Sequence, residues 1–379
     1  MKRGMGKSFI GRFTKVVAIA LGVFLMCMLT SQTVAAKTVG RQTLYLLKGD
    51  KKTISLGNNV NPKKYQWSSK NKSIATVNSK GKVTARKKGS TVITAKRGSK
   101  NYKIKLYVRD EVDLIIFAGQ SNMSGAGDTA LIPALTEGAG YEYKAITEPN
   151  ALKAIEEPFG KKENSKNLHD GNFKTGSLVT TFVNSYYKET KVPVVAVSAT
   201  RVGSGSEWWK RSLAAETANR CKKAVSYLQK RKIKIRHRYV VWFQGESDGL
   251  RGVSEETYIN NMKEIYRFFK KKNKIERFFL IRIGRYYDPE KRERSIQVNS
   301  FDTIVKAQTN LCINHSNFVL VSVKAASLND WYYYPDGIHL TQYGLNILGY
   351  EAGKNAGYYV KTKKKPGMYD EYLRRQLFY

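Results

Sequence analysis

Ser121 stands just beyond an apolar, β-type run, Leu114 to Ala118, in the segment Gly119-Gln120-Ser121-Asn122-Met123. Far along the chain, Asp336 and His339 lie three residues apart in Pro335-Asp336-Gly337-Ile338-His339. A serine hydroxyl becomes a nucleophile when a base takes its proton, and that base works best when a carboxylate fixes its tautomer. These three residue types therefore permit acyl transfer. Each has a plainer reading. Ser121 alone reads better as a helix N-cap, and His339 alone as a surface histidine beside a chance aspartate. The chain holds four histidines. His169 lies in a polar loop, His237 in a basic stretch before a strand, and His315 after a helix. Only His339 follows a carboxylate at this spacing, in a loop ahead of a helix.

Two more loops crowd polar groups directly after apolar strands. Arg201-Val202-Gly203-Ser204-Gly205-Ser206-Glu207-Trp208-Trp209 carries glycines that serve either as turn residues or to present a backbone N–H. Gln244-Gly245-Glu246-Ser247-Asp248 carries Glu246, which reads equally as a site residue or as a hydrogen-bonded loop brace. Neither CxxC nor HExxH occurs, so no metal site and no cofactor are expected.

The elements that must hold these loops alternate between strand and helix. Strands are predicted at Leu114–Ala118, Val192–Ser198, Tyr239–Phe243, Phe278–Ile283 and Phe318–Val323. Helices are predicted at Leu178–Tyr187, Leu213–Leu228, Glu255–Lys270, Val298–Asn310 and Thr341–Tyr359. Near-continuous apolar strands alternating with helices imply a parallel sheet covered on both faces, a three-layer α/β/α fold. In such sheets ligands bind beyond the carboxyl ends of the strands, where all four polar loops fall.

Taken together, Gly119 to Asn122, Gly203 to Trp208, Gln244 to Ser247 and Asp336 to His339 resemble the four blocks of the SGNH, or GDSL-like, hydrolases. The match is to the sialate O-acetylesterase-like branch, carbohydrate esterase family six, over about Asp113 to Tyr359. The resemblance implies a carboxylic ester hydrolase with Ser121 as nucleophile, His339 as base and then acid, and Asp336 orienting it. It implies an oxyanion hole from the N–H groups of Ser121 and Gly203 and the Gln244 side chain, and acetylated sugars as substrate. The branch usually reads Gly-Gly-Thr in its second block, so Gly203 and Gly205 compete for that role; Gly203 is preferred. Gln120, Asn122, Glu246 and Trp208 are candidates for substrate contact. Trp208, Trp209, Trp331 and Tyr332 to Tyr334 offer faces for stacking on sugar rings, or pack beneath the loops. The rival α/β-hydrolase pattern G-x-S-x-G fails at Met123. Two alternatives stay open: a wall-binding protein with a weak or inactive hydrolase domain, and a general acylesterase or lipase.

The amino-terminal third has a different character. A basic start, an apolar run from Val16 to Leu29 and small residues to Ala36 form a secretory signal pattern, so residues 1–36 are expected to be removed and the protein secreted, with the cell wall as a candidate location. Residues 37–109 carry short strands at Tyr65–Trp67, Ile74–Val77, Gly81–Ala85, Thr91–Ala95 and Tyr102–Val108 with turns between them, an all-β sandwich pattern. The run from Trp67 to Ala95 resembles the bacterial group 2 immunoglobulin-like domain. A short hinge is expected at Asp110 to Val112, then the α/β domain to 362 and a basic, aromatic tail, 363–379; the charge run Lys361 to Lys365 reads as a solvated exit from the fold. The net charge of +37 favours polyanionic partners such as wall polymers, and lysines dominate the small domain. No nucleic-acid reading module and no membrane span after signal removal are found. Cys221 and Cys312 are expected to be free and buried.

Overall fold

The computed structural model describes residues 42–286, 298–328 and 332–378. The expected signal segment and Trp331 lie outside the described residues. Within the small domain, β1 (Gln42–Leu47), β7 (Lys100–Arg109), β6 (Gly89–Arg97) and β3 (Gln66–Ser69) form one sheet. A second sheet holds β2 (Lys51–Thr53), β5 (Lys82–Ala85) and β4 (Ala75–Val77). Period-two burial drives the assembly: Ile104, Leu106 and Val108 turn inward on β7 while Lys103 and Lys105 face water. The inward side chains meet Leu44, Leu46, Val83 and Ala85 in a core of their own.

No strand is predicted before Tyr65, yet β1 and β2 are present. The reason is local. Tyr45 stacks on Tyr107 at 5.1 Å and Leu47 is buried, so β1 is covered on both sides and shows no clean alternation. Leu47 in fact buries in the core of the large domain.

The hinge expected at Asp110 to Val112 is absent. One residue separates β7 from β8 (Glu111–Gly119), and the Asp110 carbonyl accepts from Lys234 N at 2.7 Å. The junction is thus paired into the large sheet. Arg231 pairs with Asp50 at 2.8 Å, and Arg109 lies over the rings of Tyr45 and Tyr187. The domains have separate cores but a docked, strand-built junction.

The large sheet has the order β10-β9-β11-β8-β12-β13-β14. Its members are β9 (Gly140–Glu142), β10 (Lys153–Ala154), β11 (Val194–Thr200), β12 (Lys234–Phe243), β13 (Arg277–Ile281) and β14 (Phe318–Ser322). All neighbours run parallel except β10. A four-residue helix, α1 (Ser121–Ser124), follows β8. Helices α2 (Val179–Thr190) and α7 (Gln342–Thr362) pack together on one face. Helices α3 (Ser212–Lys230), α5 (Glu255–Asn273) and α6 (Val298–Asn314) cover the other, with short α4 (Glu246–Leu250) after β12. This is the expected three-layer α/β/α domain. Because β11 and β12 flank β8, the chain reverses direction across the sheet at β8, and a crevice opens beyond its carboxyl end.

Beyond the charge run the tail is folded. Lys363 and Lys364 are exposed, but the chain then folds back as a hairpin of β15 (Met368–Asp370) and β16 (Arg375–Leu377). Met368 and Leu377 join the large core, and Asp370 forms a fully buried ion pair with Arg282. A buried charge needs such a partner, so this hairpin is held in place rather than solvated. Cys221 and Cys312 are free and buried, and burial pushes both thiols up to about 12. Among the described residues no helix is long and apolar enough to cross a membrane.

Candidate active site

The carboxyl ends of β8 and β12 meet closely. A Cβ on Gly119, whose φ is +153°, would lie 2.0 Å from the Phe243 carbonyl oxygen, so only glycine fits there. Gln120 N donates to that same oxygen at 3.1 Å, and α1 begins at once, placing Ser121 at the crevice floor. The loop ahead of α7 brings His339 over it. Nε2 of His339 is 2.8 Å from Ser121 Oγ, and Nδ1 is 2.5 Å from Asp336 Oδ2. The other carboxylate oxygen, Oδ1, accepts from the N–H groups of Ile338 at 3.0 Å and His339 at 2.7 Å. Partial burial pushes the Asp336 carboxyl up, but the hydrogen bonds from the imidazole and these two N–H groups outweigh it and hold it at about 2. An ionised Asp336 bound to Nδ1 puts the lone pair of a neutral His339 on Nε2, facing the hydroxyl. Phe173 lies against the imidazole, with ring centroids 4.5 Å apart.

Behind this chain of three, a clamp joins the serine loop to the histidine loop. Asn122 Nδ2 donates to Glu246 Oε1 at 2.7 Å and to the Ile338 carbonyl at 3.0 Å, while its Oδ1 accepts from Leu340 N at 2.9 Å. Burial raises the Glu246 carboxyl, against the opposing hydrogen bond from Asn122. Gln120 Oε1 accepts from Ser247 N at 3.2 Å and Gly245 N at 3.4 Å, tying down the third loop. Gln120, Asn122 and Glu246 are all buried, with these polar atoms turned into the protein. Asn122 and Gln120 Oε1 act as braces between loops, while Glu246 holds Asn122 through Oε1 and leaves its buried Oε2 without a partner.

Gln244 also links loops. Its Nε2 donates to the Ser204 carbonyl at 2.9 Å and to Asp248, and lies 3.4 Å from Gln120 Oε1, which leaves the side chain as a buried strut between loops. In the second loop Gly203 is exposed at the crevice with φ of +68° and open space where a Cβ would stand. Gly205 is buried, and Arg251 fills the place of its Cβ at 2.5 Å. Of the two, Gly203 is the one with room for a ligand against its backbone.

The turn is held from several sides. Ser204 Oγ donates to the Arg201 carbonyl at 2.7 Å, Trp209 Nε1 donates to Ser204 Oγ at 2.9 Å, and Arg251 Nη2 donates to the Gly203 carbonyl at 3.1 Å. Asp248, missed by sequence reasoning, takes Ser206 N at 2.9 Å and Ser206 Oγ at 2.6 Å.

The aromatic candidates divide. Trp209 and Tyr334 are fully packed beneath the loops, the Tyr334 hydroxyl donating to the Ala325 carbonyl at 2.8 Å. Trp208 and Tyr332 are exposed, and Arg251 lies over one face of Trp208 at 5.2 Å. The remaining histidines stay apart from Ser121: His237 pairs with Glu276, His169 Nδ1 accepts from Gly171 N, and His315 follows α6. Phe173 was missed as well. It sits in a long irregular segment without periodicity, so only the fold brings it to His339.

The fold and the loop geometry are those of an SGNH, or GDSL-like, hydrolase with a preceding immunoglobulin-like domain. The family model described as carbohydrate esterase, sialic acid-specific acetylesterase, matches residues 111–356, and the chain belongs to that family. The bacterial immunoglobulin-like domain, group 2, matches residues 33–107. No curated protein matches the chain. Among solved structures, a protein from Arabidopsis thaliana is 19% identical, covering 66% of this chain and 99% of its own, with a TM-score of 0.49. A carbohydrate acetylesterase from Xanthomonas citri is 13% identical over 84% of this chain and 73% of its own, with a TM-score of 0.41. An acetyl-xylooligosaccharide esterase from Geobacillus, in a mutant form, is 11% identical over 64% and 92%, with a TM-score of 0.37.

Proposed function

We propose that the protein is a secreted serine esterase that removes O-acetyl groups from carbohydrates. The observation that carries this reading is the hydrogen-bonded chain Ser121–His339–Asp336, at 2.8 and 2.5 Å, within a carbohydrate-esterase family domain. His339 takes the Ser121 proton as Oγ attacks the acetyl carbon, and the carbonyl electrons move onto oxygen. The N–H groups of Ser121 and Gly203 stabilise that oxyanion, an effect worth about 3 kcal/mol per donor. Collapse expels the sugar alkoxide, which receives the proton from His339, and leaves an acetyl-Ser121. Water, deprotonated by His339, then attacks the acetyl carbon, and collapse breaks its bond to Ser121 Oγ, which takes the proton back from His339 as acetate leaves. Asp336 keeps the imidazole in the required tautomer throughout.

The leader directs the chain out of the cell, and the lysine-rich small domain holds it on anionic wall polymers. Acetate release from a panel of O-acetylated glycans tests the activity. Hydrolysis of aryl acetate together with inertness toward every acetylated sugar would replace the carbohydrate reading with that of a general acylesterase.

A further inference from the structure

Helix α7 starts three residues after His339, with Thr341 as its N-cap. Its buried side, which includes Leu345, Leu348, Ala352 and Ala356, packs toward α2 and the sheet. A surface helix ordinarily turns charged and polar residues to water on the other side. Here the most exposed line reads Tyr343, Ile347, Tyr350, Lys354, Tyr358 and Lys361, each three or four residues from the last. Tyr350 is 52% exposed and Tyr343 45%. Four large apolar or aromatic side chains in one exposed row are not a core stripe; they need another reason.

We propose that this row is a glycan-binding track along which a polysaccharide chain is led to Ser121. The proposal rests on the acetylesterase reading above and extends it to polymeric substrates. Continuity with the site comes first. Tyr332, in the same loop as Asp336 and His339, stacks on Tyr343 with centroids 5.3 Å apart and planes 26° from parallel. The Tyr332 carbonyl accepts from Thr341 Oγ1 at 3.1 Å, which fixes the loop to the start of the row.

Length and chemistry then choose the occupant. At 1.5 Å per residue, Tyr343 to Tyr358 spans about 22 Å, with Tyr350 near the middle. That is several sugar rings long and only one side chain wide. Tyrosine presents an apolar face to the C–H face of a sugar and a hydroxyl to its edge. The interleaved Lys354 favours a chain carrying acidic groups, whereas Lys361, past the last tyrosine, is paired with Glu189 at 3.0 Å.

A protein partner fits badly, because a stable interface buries about 800 Å² on each side. On either flank of the row, Asn346, Glu351 and Asn355 are engaged with Leu131, Ser322 and Val321, and the exposed Leu131 beside Asn346 adds a single apolar neighbour rather than a second rank.

The test uses the whole chain and the double variant Tyr350→Ser, Tyr358→Ser, both at exposed positions farther along the helix than the histidine loop and its Tyr332–Tyr343 stack. Soluble O-acetylated polysaccharides, neutral and uronate-bearing, are each compared with their acetylated monosaccharide and with an aryl acetate. Small substrates should be turned over unchanged, while KM for the best polymer rises about ten- to a hundredfold with kcat held. Equal kcat/KM on polymer for both proteins overturns the track. So does a fall in molecular mass from dimer to monomer with polymer turnover intact, which would make the row a self-association face. If no acetylated carbohydrate is cleaved, the acetylesterase reading fails. Gel retardation in the same polysaccharides then judges the track alone: retarded wild type with unretarded variant upholds it, and equal migration ends it.

Discussion

Replacing Asn122 by alanine removes the clamp between the serine and histidine loops and touches neither reacting group. The substitution strips partners from Glu246 Oε1, the Ile338 carbonyl and the Leu340 N–H, bonded at 2.7, 3.0 and 2.9 Å. Buried groups left unpaired cost about 1–3 kcal/mol each. Glu246 already holds a second carboxylate oxygen without a partner. Allowing for partial rescue by water, a loss of about 3 kcal/mol in unfolding free energy follows. The kinetic effect is separate. His339 lies between the two residues whose backbone Asn122 grips, so its ring loses its fixed distance to Ser121, and misplacement of about 1 Å can cost about a hundredfold. Urea unfolding and steady-state turnover of an aryl acetate, measured below the onset of unfolding, read the two effects. The expected result is a kcat lowered about a hundredfold with KM nearly constant. A folded variant, destabilised as calculated but with wild-type kcat, would refute the positioning argument and leave Asn122 a purely structural residue.

His339→Ala should cost nearly as much turnover as loss of Ser121, because groups acting as a unit fail together. Asp336→Asn should also fall steeply by disturbing the tautomer; wild-type rates in either variant count against the assignment. Glu142 supplies a pH signature: burial raises its carboxyl from 4.5 to about 7. A raised acid stabilises the fold below its unfolded value and loses that contribution as pH climbs toward 7, here about 3 kcal/mol. Glu142→Gln should flatten the decline in stability over that window, and an unchanged slope in thermal unfolding would locate the titration elsewhere. Leu47→Ala should destabilise the large domain by about 2–5 kcal/mol although Leu47 belongs to β1 of the small one; calorimetry in which only the small-domain transition moves would break the docking argument. Retention on anionic wall material should weaken as salt rises, since screening shortens the reach of surface charge to about 8 Å at physiological ionic strength. Salt-independent retention removes the electrostatic role.

The α/β layers were legible because buried parallel strands read as unbroken apolar runs: the segments around Ile116, Val197 and Val241 each became a central strand. Ser121, Asp336 and His339 were legible because chemistry concentrates at strand ends. What failed was the direction of side chains. Gln120, Asn122, Gln244 and Glu246 sit in the right loops, but whether an amide faces ligand or backbone depends on partners more than a hundred residues away. Asn122 and Ile338 are an example, 216 positions apart. The junction misled for a related reason. Asp110 to Val112 looks like a linker until Lys234 pairs with it. The hairpin beyond Lys361 to Lys365 went unread because its anchor, Asp370 with Arg282, joins residues 88 apart.

The central claim is that Ser121 carries the acyl group. Rapid quenching during turnover of an aryl acetate, followed by peptide mass spectrometry, would read it directly. Acetyl should accumulate on the peptide containing Ser121, and Ser121→Ala should lose both the label and several orders of magnitude of turnover with its fold intact. An acetyl group on any other side chain, or a Ser121→Ala enzyme that still turns over at the wild-type rate, would contradict the mechanism.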